Sequence, residues 1–139
     1  MGSHHSGQPA VLRGIEFKAV NGGVNDWGPA VFQVTVTLTN TGTADTTLAL
    51  LSGNCGVLVR VYRTPDRSGT PVYDAAAGAE CYVPALRPTL KPGKSVELAS
   101  SADGPSIELE TGRYFLDAVV TPVGHPRVEI EAGEIDVRR

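Results

Sequence analysis

The 139-residue chain has little of the chemistry that catalysis and metal binding usually need. It contains two cysteines, one methionine, one tryptophan and three histidines. Two of these histidines, His4 and His5, lie in the N-terminal stretch MGSHHSG. That stretch is typical of a polyhistidine-tag remnant, so residues 1–7 are left out of the functional interpretation and residues 8–139 are predicted to form a single domain. The remaining histidine, His125, lies in a VGHP turn, where a solvated imidazole is more common than a catalytic one.

Long hydrophobic runs and an excess of positive charge are also lacking. Apolar residues make up 41% of the chain and charged residues 19%, and no apolar run approaches the roughly 20 residues that a membrane-spanning helix needs. The net charge is -3, and the lysines and arginines are scattered singly, so the chain has no positive field that would attract phosphate backbones. We therefore expect a soluble globular domain with no membrane span and no nucleic-acid partner.

No short catalytic or cofactor motif is present. The sequence has no glycine-rich phosphate loop, no aspartate-rich calcium loop and no serine in a hydrolase motif. The acidic pairs Glu108/Glu110 and Glu129/Glu131 are spaced by two residues, which places both members of each pair on one face of a strand. Such a pair could bind a cation, but a solvated acidic face is the more common outcome. The sequence therefore predicts no enzyme activity, no catalytic residue, no cofactor and no metal site.

The residues that are abundant favour strands and turns. The chain has 17 valines and 12 threonines, together with 16 glycines and 10 prolines, and no segment shows a helical period. The clearest strand is Val31–Asn40, where alternate residues are apolar and polar. Further strands are predicted at 11–20 (with a bulge at Gly14), 46–51, 56–63, 72–73, 95–99, 114–121 and 128–137, and residues 21–29 are predicted to be a loop. This spacing predicts an all-β domain, an immunoglobulin-like antiparallel β-sandwich of about seven to nine strands.

A tyrosine near the C-terminal strands favours a sandwich over a closed barrel. Leu109, Gly112 and Tyr114 form the pattern Leu-x-x-Gly-x-Tyr directly before an alternating strand. In sandwiches, a tyrosine at this corner sends its hydroxyl back to the backbone a few residues upstream. We therefore predict a structural tyrosine corner at these three residues.

The two cysteines bear on the cellular compartment. Cys55 and Cys81 lie 26 positions apart and neither belongs to a CxxC pair, so a disulfide is favoured over zinc ligation and over two buried thiols. Closing a loop of that length would stabilise the domain by about 3.5 kcal/mol. A disulfide persists only in an oxidising compartment, so the pair predicts a secreted or cell-envelope protein. The alternative is two small buried hydrophobic side chains in a cytosolic domain.

The order of four segments resembles a known family. Val34–Leu51 (VTVTLTNTGTADTTLALL), Val57–Asp74 (VLVRVYRTPDRSGTPVYD), Leu90–Leu98 (LKPGKSVEL) and Leu109–Val120 (LETGRYFLDAVV) resemble, in that order, BsuPI-type intracellular proteinase inhibitors and their bacterial immunoglobulin-like relatives. The resemblance implies a β-sandwich that binds a subtilisin-like protease or another protein. It assigns no reactive-loop residue, and the cysteine pair departs from an intracellular role.

Two segments are candidates for binding such a partner. The irregular segment 74–88 offers Tyr82, Val83 and Leu86 as apolar anchors, although these residues could instead cap the core. The rival function is a cell-envelope or adhesin-like structural domain without inhibitory activity, for which Trp27 in the predicted loop 21–29 is the candidate anchor. A tryptophan in such a loop more often folds back over the core.

A second resemblance concerns the C-terminal strands. Leu109–Gly124 (LETGRYFLDAVVTPVG) is similar to the last strands of Cna B-type adhesin domains, which crosslink a lysine to an asparagine beside a buried acid. Lys18 and Asp117 are the candidate residues, whereas the position of the family's glutamate is occupied by Ala118.

Overall fold

The computed structural model describes residues 5–6, 10–24, 30–51, 56–75, 86–100, 106–107 and 109–138, and these residues form strands, bridges and turns without a helix. In that part of the chain, nothing helical is long and apolar enough to cross a membrane. The strands are β1 (His5–Ser6), β2 (Ala10–Leu12), β3 (Ile15–Val24), β4 (Ala30–Asn40), β5 (Thr46–Thr47), β6 (Leu58–Tyr62), β7 (Tyr73–Asp74), β8 (Thr89–Leu90), β9 (Ser95–Ala99), β10 (Ser106–Ile107), β11 (Gly112–Val120) and β12 (Val128–Val137). The predicted all-β class is confirmed.

The long strands form two antiparallel sheets that pack face to face. The first sheet is built on β3, β4 and β9, with β1 and β2 pairing with β3 and β10 pairing with β4. The second sheet has the order β12-β11-β6-β7, and β5 and β8 form a separate short pair. Strands that are distant in sequence are therefore neighbours within each sheet, as in immunoglobulin-like sandwiches.

The core lies between the two sheets because alternate residues of each long strand point inward. Phe17, Leu38, Val61 and Leu116 are completely buried, and Ile130 is almost so. They belong to one continuous apolar cluster that draws on both sheets. The period-two pattern that predicted the strands therefore also identifies the residues that hold the sheets together.

Two local predictions near the N-terminus are wrong. Arg13 and Gly14 have φ angles of 53° and 79°, and Leu12 pairs with Ile15, so Gly14 lies in a two-residue hairpin turn between β2 and β3 rather than in a bulge. Positive φ at both central residues is what this kind of tight hairpin requires. The predicted loop 21–29 also begins too early, since β3 continues to Val24. Backbone pairing extends into the predicted tag remnant, where β1 pairs with the second half of β3.

Two buried asparagines brace the sandwich. The side-chain amide of Asn21 on β3 donates to the carbonyl of Ala132 on β12 at 2.6 Å, which ties one sheet to the other. The amide of Asn40, at the end of β4, donates to the carbonyl of Leu90 at 2.8 Å. Its oxygen accepts from the backbone N–H of Gly42 at 2.9 Å. Because a buried amide needs partners for its polar atoms, these residues fix the turns and strands that they contact.

Candidate functional site

Tyr114 anchors the start of β11 through its hydroxyl group. The ring is buried, and the hydroxyl donates to the carbonyl of Glu110, four residues upstream, at 2.8 Å. Leu109 is also buried, and the guanidinium of Arg63 lies 5.5 Å from the centroid of the tyrosine ring. This backbone contact is the one that defines a tyrosine corner. The corner holds the start of β11, the strand that also carries Asp117, a charged residue that is almost fully buried.

Asp117 is a buried carboxylate on the outer face of the second sheet. Its neighbours along β11, Leu116 and Ala118, point into the core and are completely buried. Asp117 points the other way but is only 4% exposed, and its cross-strand partners are Arg60 on β6 and Glu131 on β12. A carboxylate can remain buried only with charge or hydrogen-bond partners. We therefore expect the partners of Asp117 on this outer face.

The principal partner is Arg67, which reaches Asp117 from the turn between β6 and β7. Its Nε donates to Oδ1 of Asp117 at 2.8 Å and its Nη2 donates to the carbonyl of Leu116 at 3.2 Å. Nη1 donates to the carbonyl of Pro65 at 2.6 Å. Arg67 has a φ angle of 55°, a left-handed conformation that is costly for a residue with a side chain. The turn therefore accepts backbone strain while its arginine covers the buried carboxylate.

A second arginine connects β7 to β12 across the same face. Nε of Arg60 lies 3.1 Å from Oδ1 of Asp74, and its Nη1 lies 2.6 Å from Oε1 of Glu129. The hydroxyl of Tyr62 donates to the other oxygen of Glu129 at 3.4 Å. Together with the Arg67 contacts, these bonds form what we call the arginine–carboxylate network, which consists of Arg60, Arg67, Asp74, Asp117, Glu129 and Glu131.

The network contains more carboxyl groups than arginines, and this affects the protonation of Asp117. Burial, and after it a hydrogen bond with Glu129, raise the pKa of Asp117, Arg67 opposes both effects, and the resulting pKa is about 6. Burial disfavours the charged form of a carboxyl group, and a neighbouring carboxylate does the same. Asp117 therefore takes up a proton at a pH where an exposed aspartate remains ionised.

The acidic pair Glu129/Glu131 belongs to this network. Glu129 and Glu131 share a face, as their spacing predicts, but Glu129 is paired with Arg60 and Glu131 lies 3.8 Å from Arg67. Within the described ranges, no three histidine, cysteine or acidic side chains are grouped so as to hold a metal ion. His125 is partly exposed, and its Nε2 lies 3.5 Å from a guanidinium nitrogen of Arg13. The network can hold strands together and exchange a proton.

The Cna B-type crosslink is not supported by the positions of its candidate residues. Lys18 is exposed on the outer face of β3, and Asp117 lies on the outer face of β11 in the other sheet. The apolar core separates the two faces, so the side chains cannot meet, and Ala118 lies in that core. The carboxylate of Asp117 is engaged instead by Arg67.

A second candidate region lies at one end of the sandwich, where Leu86 is placed. The backbone N–H of Leu50 donates to the carbonyl of Leu86 at 2.9 Å, and that of Val123 donates to the carbonyl of Ala49 at 2.9 Å. Leu50 is completely buried, whereas Leu86 is 38% exposed and Val123 45% exposed. A firmly bonded backbone thus holds two apolar side chains at the surface.

The residues on either side of segment 76–85 are attached to the framework. On one side, β7 pairs with β6 and the N–H of Ala75 donates to the carbonyl of Val59 at 3.0 Å. On the other side, Leu86 bonds to Leu50, and the carbonyl of Pro88 accepts from the N–H of Leu48 at 3.2 Å. Of the predicted site residues, Leu86 lies in the described ranges, whereas Tyr82, Val83, Trp27, Cys55 and Cys81 lie outside them. The disulfide therefore stays a prediction.

Comparison with known proteins gives a limited result. No protein-family profile matches the chain, and no curated protein sequence matches it. Among solved structures, the chain is similar to a crystal structure of a Bordetella pertussis protein provisionally named ApaA, with a TM-score of 0.39 and 15% sequence identity over 99% of this chain and 94% of that chain. A likeness at this level carries no argument about function.

Proposed function

We propose that this chain is a non-catalytic protein-binding module that inhibits a subtilisin-like protease in the manner implied by its resemblance to BsuPI-type inhibitors. The observation that carries the proposal is the attachment of both flanks of segment 76–85. Ala75 is bonded to Val59, and Leu86 is bonded to Leu50. Tyr82 and Val83 lie within that segment.

Fixed flanks matter because binding a protease cleft costs conformational entropy. A segment whose ends are already held loses less freedom when it is bound, so a larger share of its contact energy appears as affinity. The ion pair between Arg60 and Asp74 adds a further restraint on the β7 side. A disulfide between Cys55 and Cys81 would restrain the segment from within, and it would match a secreted or cell-envelope protein.

Leu86 supplies an apolar contact at the edge of this surface. Its backbone is held by Leu50 while its side chain is 38% exposed, so it can meet a partner without rearrangement of the framework. A side chain whose backbone is already held loses little freedom when a partner covers it. Leu86, Tyr82 and Val83 are the residues that we propose contact the protease.

The test is a titration of the oxidised domain against subtilisin-like and trypsin-like proteases, with substrate turnover and the integrity of the domain followed together. We expect stoichiometric inhibition of a subtilisin-like enzyme by an intact chain. Leu86→Asp should weaken inhibition by about tenfold or more, because it places a charge in an apolar contact. Val11→Asp is the matched control, since Val11 is 66% exposed on β2, which pairs with β3 and not with the backbone that holds Leu86.

Two outcomes would overturn the proposal. Absence of inhibition across the panel, with a domain that resists cleavage, would favour the cell-envelope or adhesin-like structural role. Equal effects of Leu86→Asp and Val11→Asp on an observed inhibition would place the contact surface elsewhere. Mass spectrometry of the unreduced protein, before and after alkylation, tests the disulfide separately.

A further inference from the structure

We propose that the outer edge of β9 is a second interaction surface, which takes up an extended segment of a partner protein as an added antiparallel strand with a basic side chain opposite Glu97. This surface differs from the one around Leu86 and does not depend on protease inhibition. It rests on the hydrogen-bond register of β9, on the way both ends of that strand are held and on the charge that it presents.

One side of β9 has no strand neighbour among the residues that the structure describes. In the described part of the chain, β9 pairs with β4 and with no other strand. The N–H of Asn40 donates to the carbonyl of Lys94 at 3.0 Å, and the N–H of Ser100 donates to the carbonyl of Val34 at 2.9 Å. Hydrogen-bonded and non-hydrogen-bonded residue pairs alternate along an antiparallel pair of strands. The two bonds therefore identify which pairs between β4 and β9 are hydrogen-bonded.

The alternation determines which backbone groups face outward. The two hydrogen-bonded pairs at the ends of β9 imply that Val96 and Leu98 use their N–H and carbonyl groups toward β4. The groups of Ser95, Glu97 and Ala99 then point away from β4, toward the sheet edge. Every second residue of β9 thus offers a backbone donor and acceptor, in the spacing that an added strand needs.

Both ends of β9 are held, so the edge is formed before a partner arrives. At its start, the N–H of Gly93 donates to the carbonyl of Asn40 at 2.8 Å. At its end, Oγ of Ser100 accepts from the N–H of Val34 at 3.0 Å, and the Ser100 carbonyl accepts from the side-chain amide of Gln33 at 3.2 Å. A strand held at both ends loses little freedom when a neighbour is added.

The charged residue at the edge of the first sheet, Glu97, indicates which side chain the partner strand should carry. Lys18, Thr37 and Glu97 are direct neighbours on the outer face of that sheet, and Glu97 is exposed at the edge of the row. An added strand would place its own residue opposite Glu97, where an opposite charge stabilises and a like charge destabilises. The adjacent partner residues would point toward the core beside Val96 and Leu98, so they should be apolar.

The same charge opposes self-association through this edge. Antiparallel pairing of two copies over all five residues of β9 would place Glu97 opposite the Glu97 of the other copy, and like charges directly opposite are unfavourable. A charged residue on an edge strand is a common protection against pairing of identical edges. The favoured occupant is therefore a different chain with a lysine or arginine at the matching position.

The test uses a synthetic, fluorescently labelled peptide of alternating valine and threonine with a central lysine, and an otherwise identical peptide with a central glutamate. We expect the lysine peptide to bind in fluorescence anisotropy and to slow hydrogen exchange at the amides of Ser95, Glu97 and Ala99. Glu97→Lys should reverse the preference between the two peptides, with a change of about tenfold for each. Glu16→Lys is the matched control, because Glu16 carries the same charge on the same face but lies on β3.

A third variant removes the edge bond without changing the inner ladder. Glu97→Pro deletes an outward N–H, and proline is tolerated at such edge positions, so peptide binding should be lost while the circular dichroism spectrum is retained. If Glu97→Pro does not fold, the comparison of Glu97→Lys with Glu16→Lys still tests the proposal. The proposal is overturned if neither peptide protects the three amides, if Glu16→Lys acts like Glu97→Lys, or if sedimentation shows a dimer in which the three amides are already protected from exchange.

Discussion

The outer faces of the two sheets differ in composition and in exposure. On the first sheet, the outward residues of β4 include three threonines that remain partly exposed, and Lys18 and Glu97 beside them are exposed. On the second sheet, outward residues include Asp117 at 4% exposure and Val119 at 1%. The first face is solvated, whereas much of the second is buried.

The burial of Asp117 comes from the turn between β6 and β7, whereas Val119 packs against Leu58 and Ala75. Arg67 in this turn bonds to Asp117 and to the backbone of Leu116, and its guanidinium lies 5.9 Å from the ring of Phe115. All ion pairs between described residues involve Arg60, Arg63, Arg67 or Arg113, and none lies on the first sheet. A polar residue on the outer face of a sheet therefore need not be solvated, since a covering turn can bury it together with its partner.

Removing Arg67 should have the largest effect on this comparison. In Arg67→Ala, Asp117 stays buried without its closest cation, and we expect a loss of about 3–5 kcal/mol in the free energy of unfolding near pH 8. Chemical denaturation measures this loss. Arg113→Ala is the control, because the pair between Arg113 and Asp136 is exposed and such pairs contribute about 1 kcal/mol or less. Equal losses in the two variants would mean that the second face is as solvated as the first.

The pH dependence of stability should be smaller and should depend on Asp117. The folded pKa of about 6 exceeds the unfolded value of about 3.9, so the native state binds more protons between these values. The free energy of unfolding should therefore fall as pH rises from about 4 to about 6, by at most about 3 kcal/mol. The groups that face Asp117 are Arg60, Tyr62, Arg67, Glu129 and Glu131.

Asp117→Asn tests this assignment. The variant should flatten the slope of stability against pH in that window, whereas Asp136→Asn on the exposed part of β12 should leave the slope unchanged. Thermal or urea unfolding at several pH values provides the measurement. A slope that survives in Asp117→Asn would assign the titration to another group.

The smallest expected change in stability comes from removing one cation from each outer face. Arg60→Met removes the ion pairs with Asp74 and Glu129 and should cost about 1 kcal/mol, since these partners are partly exposed. Lys18→Met removes an exposed lysine from the first sheet and should change stability by less than about 0.5 kcal/mol. Urea denaturation of both variants at pH 7 resolves the difference. An equal or larger effect of Lys18→Met would reverse the ranking of the two faces.

Much of the fold could be predicted from the sequence, but the network could not. The strands Ser95–Ala99 and Val128–Val137 match the predicted bounds, because alternation over five or more residues is a strong local signal. Asp117 did carry a signal, as a charge within the otherwise apolar run FLDAVV. Its partner Arg67 lies 50 positions away in a turn, and nothing local connects the two residues.

The sequence by itself determined the all-β fold class of this protein. Its valine- and threonine-rich alternation specifies strands with one apolar face, and such faces become stable when they pack against each other. The tertiary structure alone decided which polar groups are buried, because Arg67 meets Asp117 and Asn21 meets the backbone of β12 only after distant segments are assembled. It also decided that β9 pairs with β4 and, among the described residues, with no other strand. Local pattern fixes the face that a side chain occupies, whereas its environment depends on segments far along the chain.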